Sequence, residues 1–524
     1  MNCMRGIPGP VRQHERESSL MERSPVRDSE SSPETVQTPA QIRYSFWQWL
    51  FSFPAMLCAL LVALTVLTVR NRFNDPDMWW HLKIGETIWR THSIPRIDTF
   101  SFTAYGHAWT AHEWLAQLSI YGAWKLGGET GLMVWLCVFA SLLVVLLYAV
   151  CALYSDNAKI SLIGALTGWF FATVGLAIRP LVIGFLLLVL ELLIVQLARL
   201  RTRRWLIALP PLFAIWVNCH GSYVVGLMVL GVLWACSFFE LSAGSLVCSR
   251  WPARDRRWLA VSGILSVAAL ALNPVGVRIL MYPFDLFMHQ SNGLTYVTEW
   301  QPLSLNDNRA LALLAVTGAI FLMSLLRRST LRLEELVLMG LGGGMAISHQ
   351  RMVFVFGIFA APVVARVFAG AWERYDPRRD LRVANAILIF VAIFVIVLPF
   401  PSHRQLHEQA VKTSPVEAVD YIRHTGLAGP MLNDYDFGGY LIWALPEQKV
   451  FIDGRSDVYD WTGVFSEMAR WALVQEDPNL LLNKYKIKFC ILRKTAPMAQ
   501  VLPLLQGWNK VYSDDLAVIF VRSG

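Results

Sequence analysis

The sequence predicts a polytopic α-helical membrane protein of about 11 transmembrane helices, followed by a small α/β domain. Composition is the first observation behind this prediction: 55% of the residues are hydrophobic and only 16% are charged, whereas soluble domains carry roughly 25% charged residues. The second is a series of long apolar runs bounded by charged or Pro/Gly/Asn-rich loops. The third is a change of pattern after Pro401, where short strand-like runs alternate with helical ones.

The chain starts with residues 1–45, which are rich in Ser, Pro, Glu and Arg and show no apolar period. Such a composition cannot bury a hydrophobic core, so we predict a disordered cytoplasmic tail. The first apolar run, Phe46–Val69, begins too far along the chain for a cleaved signal peptide and is long enough to cross a bilayer. We therefore expect it to be a membrane anchor.

Residues 46–401 are predicted to form the transmembrane domain. Its candidate spans number about eleven. The count is approximate because the fifth, seventh and ninth runs are short for a membrane helix. The runs are Phe46–Val69, Gly131–Leu153, Ile160–Ala177, Leu181–Leu200, Leu206–Val217, Tyr223–Val247, Leu259–Leu272, Ala310–Leu326, Leu333–Ile347, Val353–Gly370 and Val383–Phe400.

Four arginine-rich loops alternate with these runs and predict the orientation. They contain Arg201, Arg203 and Arg204; Arg250, Arg254, Arg256 and Arg257; Arg327, Arg328 and Arg332; and Arg374, Arg378, Arg379 and Arg382. The positive-inside rule places them in the cytoplasm together with the N-terminus. The loop after the first span and the region after Pro401 then lie outside. The net charge of +8 is explained by these anchoring loops, so it indicates no nucleic-acid site.

The loop between the first two spans, residues 70–130, carries the strongest candidates for chemistry. Asp75-Pro76-Asp77 directly follows the first span. Pro76 holds Asp75 in an extended conformation and fixes its own φ, so a stiff turn presents both carboxylates at the membrane surface. As an alternative, Asp77 is the N-cap of a helix through residues 80–82. That role does not exclude catalysis.

The rest of this loop is rich in aromatic residues. We expect its tryptophans to anchor amphipathic helices in the membrane interface, in preference to stacking on a sugar: Trp79, Trp80, Trp89, Trp109, Trp114 and Trp124. His112-Glu113 begins an apolar helical pattern but lacks the second histidine of an HExxH zinc motif. The pair is expected either to close over Asp75 and Asp77 or to cap a helix.

Further ionisable residues stand at the predicted outer ends of spans, namely Arg179, His220, Glu299 and Arg351. Ionisable groups at membrane depth are functional candidates by default, although each alone can be a snorkelling or helix-ending residue. If Arg179, His220 and Arg351 converge on the two aspartates, they form a cationic pocket beside a base.

Residues 402–524 predict an extracytoplasmic α/β domain with a mixed sheet. The expected strands are Pro430–Asn433, Val450–Asp453, Phe489–Leu492 and Ala517–Val521. Gly438-Gly439 is expected in a tight strand-to-helix turn, and Arg455 is expected to pair with Asp434, Asp436 or Asp457. We favour a role in specifying the fold for these residues over a second ligand site. Because membrane helices bury one another, the bundle is expected to stay stable without this domain.

Several of these features resemble a known superfamily. The acidic motif after the first span, the amphipathic outer loop and the outer C-terminal domain resemble the GT-C class of integral-membrane glycosyltransferases, which are polyprenyl-phosphate-sugar mannosyltransferase-like proteins. The familiar GT-C pattern is adjacent Asp-Glu, whereas Pro76 separates two aspartates here. More narrowly, the chain is similar to a group of bacterial multi-spanning membrane proteins in Asp75–Lys83, Ile94–Asp98, His112–Ala116, Asp436–Leu441 and Phe451–Arg455.

The resemblance implies an inverting glycosyltransferase of the bacterial cytoplasmic (inner) membrane. It would move a sugar from a polyprenyl-phosphate carrier to an outer-face glycan, lipid or protein, with Asp77 or Asp75 as general base. The residues expected to bind substrate or the donor phosphate are His81, Lys83, His112, Glu113, Arg179, His220, Glu299 and Arg351. A divalent metal, Mg²⁺ or Mn²⁺, bound by Asp75, Asp77 and Glu299 is an open alternative.

Two other functions compete with this hypothesis. One is a membrane transporter or lipid flippase, which typically shows ionisable residues near mid-span or two similar halves. Glu191 is the main mid-span candidate, and the sequence shows no internal repeat. The other is a catalytically silent assembly factor for envelope polysaccharide, with the C-terminal domain as a docking module.

Overall fold

The structure is a computed structural model, and it describes residues 45–282, 296–327 and 329–523. Residues 46–524 form one compact unit that contains both the apolar helices and the C-terminal sheet. The tail predicted for residues 1–45 lies outside the described residues apart from Ser45, and Arg328 of the third basic loop lies outside them too.

Most of the described residues between 46 and 397 lie in helices, and most of these helices are apolar. Numbered along the described part of the chain, they are α1 (Phe46–Leu50), α2 (Phe53–Val69), α3 (Met78–Thr91), α4 (Trp114–Ser155), α5 (Ala158–Ala172), α6 (Leu181–Leu200), α7 (Leu209–Trp216), α8 (Tyr223–Cys236), α9 (Ala253–Ala269), α10 (Asn308–Arg327), α11 (Leu333–Ser348), α12 (Val353–Val367) and α13 (Arg382–Val397). Within the described residues, five segments are long and apolar enough to cross a membrane: Trp114–Ser155, Ala158–Gly175, Leu181–Leu200, Asn308–Arg327 and Gln350–Val367. The helical membrane-protein class is therefore confirmed, and the total of about 11 spans stays a prediction.

Two of the predicted apolar runs have different bounds in the structure. The run Leu206–Val217 begins in a 3₁₀ helix, Arg203–Ala208, and its α-helical part is the short α7, because Pro210 and Pro211 are tolerated only in the first turn of an α-helix. The run Tyr223–Val247 leaves the helical conformation at Cys236 and continues into a hairpin of β1 (Leu241–Ala243) and β2 (Leu246–Cys248).

The amphipathic part of the first outer loop is continuous with the second predicted span. Helix α4 begins at Trp114 and bends where Gly127 and Gly128 leave the helical φ/ψ region. Its first part is therefore the end of the outer loop, and its second part, from Glu129, is the apolar span.

Three of the four arginine-rich loops meet at one end of the bundle. Strand β2 pairs in parallel with β3 (Leu331–Arg332), which joins two of these loops directly. Arg203 forms an ion pair with Asp255 at 3.1 Å, which joins a third loop to them. Their common location is what the alternation of basic loops requires, while the side of the membrane on which they lie stays a prediction.

The C-terminal region contains a four-stranded mixed sheet with the order β4 (Met431–Asn433), β5 (Phe489–Arg493), β7 (Ala517–Arg522) and β6 (Trp508–Ser513). Strands β4 and β5 are parallel, and the other pairs are antiparallel. The helices of this region are α14 (His403–Val411), α15 (Val416–Thr425), α16 (Tyr435–Ala444), α17 (Ser456–Thr462), α18 (Val464–Ala472), α19 (Pro478–Lys484) and α20 (Pro497–Val501). The expected strand Val450–Asp453 is not in this sheet, because Val450 pairs instead with Ser101 of the first outer loop.

The first outer loop and the C-terminal region share one hydrophobic core. Ile84 and Trp109 from the loop are buried in the same cluster as Phe451 and Trp471. Removing the C-terminal region would expose the buried side of the loop, which argues against the expectation that the bundle stays stable without it.

The same packing explains why two tryptophans of the loop are buried. Trp79 is only 3% exposed, and its Nε1 donates a hydrogen bond to Oγ of Ser414 at 2.9 Å. Trp79 and Trp109 are therefore core residues rather than the interfacial anchors that the sequence predicted. Trp89 is largely exposed, in keeping with an anchor.

Candidate active site

The acidic motif lies in a short turn between α2 and α3. The backbone N–H of Asp77 donates to Oδ1 of Asp75 at 2.9 Å, which fixes the two carboxylates relative to each other. Asp77 occupies the N-cap position of α3, but its side chain makes no capping hydrogen bond. It instead accepts a hydrogen bond from Nε1 of Trp80 at 3.2 Å. The capping alternative thus describes the position of Asp77 but not the contacts of its carboxylate.

Arg179 gathers the acidic residues into one cluster. It precedes α6, and its Nε lies 2.6 Å from Oδ2 of Asp75. Its Nη1 lies 3.0 Å from Oδ2 of Asp77 and 3.2 Å from Oε1 of Glu299. One guanidinium therefore bridges three carboxylates from three separate segments of the chain.

Arg351 stands at the edge of this cluster. Its Nη1 lies 3.4 Å from Oε2 of Glu299, and its guanidinium lies over the ring of Trp300 at 5.3 Å. The side chain of Arg351 is 24% exposed. Among the described residues this is the one ion pair that Arg351 forms, and it leaves most of the guanidinium donors available to another anion.

The C-terminal region packs directly against the acidic motif. A Cβ added to Gly439 would lie 2.7 Å from the carbonyl oxygen of Pro76, and one added to Gly454 would collide with the carboxylate of Asp77. Gly438 and Gly439 lie inside helix α16 rather than in the expected turn, and their role is this close approach. Two segments far apart in sequence therefore form adjoining walls of the site.

A cavity of about 340 Å³ opens next to Asp77. Its lining includes Trp80 and Gly454, which both contact Asp77, and also Arg351. The other polar and aromatic groups of the lining are Trp109, His112, Glu113, His220, Tyr282, Trp300, Arg455 and Asp457. Aromatic faces alternating with hydrogen-bonding groups suit a polar ligand with apolar faces, and sugars are of that kind.

Burial sets the charge of the carboxyl groups in the site. Burial raises the pKa of Asp77 to about 6, and Asp75 and Glu299 add to this effect while Arg179 opposes it. Burial also raises the pKa of Glu113 to about 8 against the opposing effect of Arg351. At pH 7, Asp77 is therefore mostly ionised and Glu113 mostly protonated.

The histidines of the site are neutral at pH 7. Burial, followed by the charge of Arg351, lowers the pKa of His220 to about 3. Burial also lowers the pKa of His112 and the pKa of His81. His220 accepts the Ser222 N–H at Nδ1, so its proton is on Nε2, 3.7 Å from Oε1 of Glu113. This contact joins two neutral groups.

The structure brings together most of the residues that the sequence singled out. Asp75, Asp77, Arg179, Glu299 and Arg351 form the charged cluster, and His112, Glu113 and His220 line the adjacent cavity. His81 is buried and contacts Gln117 at 3.3 Å, whereas Lys83 pairs with Glu86 at 2.8 Å, outside the cluster.

The three carboxylates proposed as metal ligands surround Arg179. The guanidinium occupies the position between them that a cation would take. In the described ranges, no group of three or more His, Cys, Asp or Glu side chains has the arrangement of a metal site. Arg179 thus neutralises these carboxylates in the structure, and a metal ion bound by Asp75, Asp77 and Glu299 stays a prediction.

Sequence reasoning missed a second part of the site. Arg455 pairs with Asp98 at 2.7 Å and with Asp453 at 2.6 Å, not with the expected Asp434, Asp436 or Asp457. Its guanidinium stacks on Trp109, whose Nε1 donates to Asp457 at 3.1 Å. Arg493 takes the predicted acidic partners, lying 3.0 Å from Asp436. The resemblance of the segment Phe451–Arg455 to other bacterial membrane proteins was the one indication in the sequence that this part of the chain matters.

Comparison with solved structures decides the fold class. The chain is similar to AglB, the oligosaccharyltransferase of Archaeoglobus fulgidus, in complex with an inhibitory peptide and a dolichol-phosphate, with 12% identity, a TM-score of 0.55, and coverage of 86% of this chain and 69% of that chain. A second structure of the A. fulgidus enzyme, tethered to an acceptor peptide, gives 12% identity, a TM-score of 0.53, and coverage of 91% and 75%. The GT-C fold predicted from the sequence is confirmed. No protein-family model and no curated protein sequence matches the chain.

Proposed function

We propose that this GT-C chain is an inverting glycosyltransferase that moves a sugar from a polyprenyl-phosphate carrier to an acceptor hydroxyl, with Asp77 as general base. The observation that carries the proposal is the place of Asp77 between the Arg179 cluster and the cavity. A carboxyl with a pKa of about 6 is ionised at pH 7 and still basic enough to accept a proton during attack.

In the proposed reaction, the acceptor oxygen bonds to the anomeric carbon while its proton passes to Asp77. The bond between the anomeric carbon and the phosphate oxygen breaks, and the phosphate leaves with the bonding electrons. Arg351 would hold that phosphate, because its donors are only partly used by Glu299. Arg179 would keep Asp77 oriented and limit the rise of its pKa caused by burial.

The cavity would hold the sugar. Trp80, Trp109 and Trp300 offer aromatic faces, and protonated Glu113 can donate a hydrogen bond to a sugar oxygen. Support for the carrier comes from the archaeal oligosaccharyltransferase of the same fold, which is in complex with a dolichol-phosphate. The site would face the outside of the bacterial inner membrane, with the C-terminal region on the same side.

The transfer would need no divalent metal, since Arg179 supplies positive charge between the three carboxylates. The leaving phosphate is already anionic and can be neutralised by Arg351.

Binding of polyprenyl phosphate and transfer from a polyprenyl-phosphate sugar test the proposal together. The protein in nanodiscs should bind polyprenyl phosphate, and Arg351→Ala should weaken binding by about tenfold to a hundredfold, as expected for one charge-assisted contact. Arg90→Ala is the matched control, because Arg90 lies in the first outer loop, away from the cavity lining, and its ion pair among the described residues is with Glu86.

Two results would contradict the proposal. Failure of the wild type to bind any polyprenyl phosphate would remove the donor. Binding without transfer to any acceptor would favour a lipid flippase or an envelope-polysaccharide assembly factor.

A further inference from the structure

A second cavity, of about 360 Å³, lies at the end of the bundle formed by the basic loops. Helix α6 connects it to the candidate active site: its first residue, Leu181, lines the active-site cavity, and Gln196, Arg199 and Leu200 of its last turns line the second one. A helix of 20 residues is about 30 Å long, which is the thickness of the hydrocarbon core. The two cavities therefore lie at opposite ends of a helix that is long enough to cross the membrane.

Three arginines line this second cavity: Arg199, Arg203 and Arg332. Two acidic residues line it as well, and each pairs with one arginine: Glu334 with Arg199 at 3.0 Å, and Asp255 with Arg203 at 3.1 Å. These pairs hold two guanidinium groups at the wall. Arg332 forms no ion pair with the described residues, so the lining keeps one uncompensated positive charge.

The wall also contains buried polar atoms that lack partners among the residues described. Nε of Arg199 has no acceptor, and Oε1 of Gln196, whose side chain is 3% exposed, has no donor. Trp251 lies against the guanidinium of Arg199 at 4.6 Å and keeps it directed along the wall. A buried donor and a buried acceptor without partners are costly unless a ligand satisfies them.

We propose that this cavity binds the headgroup of an anionic phospholipid that carries a phosphodiester and a free hydroxyl. The phosphate would contact Arg199, Arg203 and Arg332, and the hydroxyl would donate to Oε1 of Gln196. A lipid is the source that fits the location, because the apolar side chain of Leu200 lines the cavity and is 55% exposed. The acyl chains lie along this apolar surface. Basic pockets between membrane helices bind such headgroups in other proteins.

Thermal unfolding of the delipidated full-length protein tests the site, with phosphatidylglycerol as the probe and phosphatidylcholine or inorganic phosphate as comparisons. Phosphatidylglycerol should raise the Tm of the wild type, because a ligand that binds only the folded state stabilises it. Arg332→Gln should raise the half-maximal lipid concentration by about tenfold or more. Arg254→Gln is the control, since Arg254 is exposed on the same end of the bundle and does not line the cavity.

Three outcomes would overturn the proposal. An equal shift with phosphatidylcholine would mean that the headgroup charge is not recognised. The full shift with inorganic phosphate would assign the site to a free anion, and equal losses in Arg332→Gln and Arg254→Gln would indicate surface charge alone. If Arg332→Gln does not fold, native mass spectrometry of the wild type decides, since selective retention of phosphatidylglycerol over phosphatidylcholine is expected.

Discussion

The variant Gly454→Ala should disturb the proposed base without changing any ionisable group. An added Cβ would lie 3.2 Å from Cγ of Asp77 and 2.9 Å from Nε1 of Trp80. It would overlap with the nearer carboxylate oxygen of Asp77, Oδ1. That oxygen must move by about 1 Å, a displacement that can cost about 10²-fold in rate at an oriented catalytic group. Overpacking of this kind also destabilises by about 1–3 kcal/mol.

The assay is transfer by purified variants at equal amounts of folded protein, with binding of polyprenyl phosphate measured in parallel. Gly122→Ala is the matched control, because Gly122 lies in α4 outside the cavity lining and a Cβ there meets no described atom within 4 Å. We expect Gly454→Ala to lose about 10²-fold in kcat and to keep lipid binding, while Gly122→Ala keeps both. Full activity in Gly454→Ala would refute the idea that the position of Asp77 limits the reaction.

Three further predictions concern the proton, the metal and the C-terminal region. Because Asp77 has a pKa near 6 and Glu113 near 8, kcat/KM should fall about tenfold per pH unit below pH 6, where the base is protonated, and fall again above pH 8, where the donor is ionised; a flat profile from pH 5 to pH 9 would contradict these assignments. Treatment with EDTA should leave transfer unchanged, and restoration of lost activity by Mg²⁺ or Mn²⁺ would instead identify a metal at Asp75, Asp77 and Glu299. Truncation after Pro401 should give aggregated or degraded protein by size-exclusion chromatography, and a monodisperse truncated bundle would contradict the shared core.

The charged cluster could be predicted from the sequence because of where its members stand. Asp75, Asp77, Arg179, Glu299 and Arg351 each occur at the end of an apolar run, and under alternating topology those ends meet at the same face. The role of Arg179 could not be predicted in the same way. A bridging guanidinium and a bridging metal ion need the same carboxylates, and only the distances distinguish them.

Contacts across long sequence separations were the parts that the sequence could not predict. Trp109 and Asp457 are 348 positions apart, and no local pattern connects them. Gly438 and Gly439 have the composition of a turn, yet they lie in a helix. Glycine is needed there because Asp453 approaches Gly438 closely and Pro76 approaches Gly439 closely. Arg455 was expected to pair with Asp434, Asp436 or Asp457, but it pairs with Asp453 and with Asp98 of the outer loop, and no local pattern connects Asp98 to it.

Transfer by Asp77→Asn is the most direct test of the proposed general base, because this change keeps the shape of the side chain and removes its basicity. We predict normal expression, unchanged binding of polyprenyl phosphate and a loss of transfer of roughly 10²- to 10⁴-fold, with Asp75→Asn as the comparison and a smaller loss expected there. Full transfer activity in Asp77→Asn, at a level of folded protein equal to that of the wild type, would contradict the assignment of Asp77 as the general base.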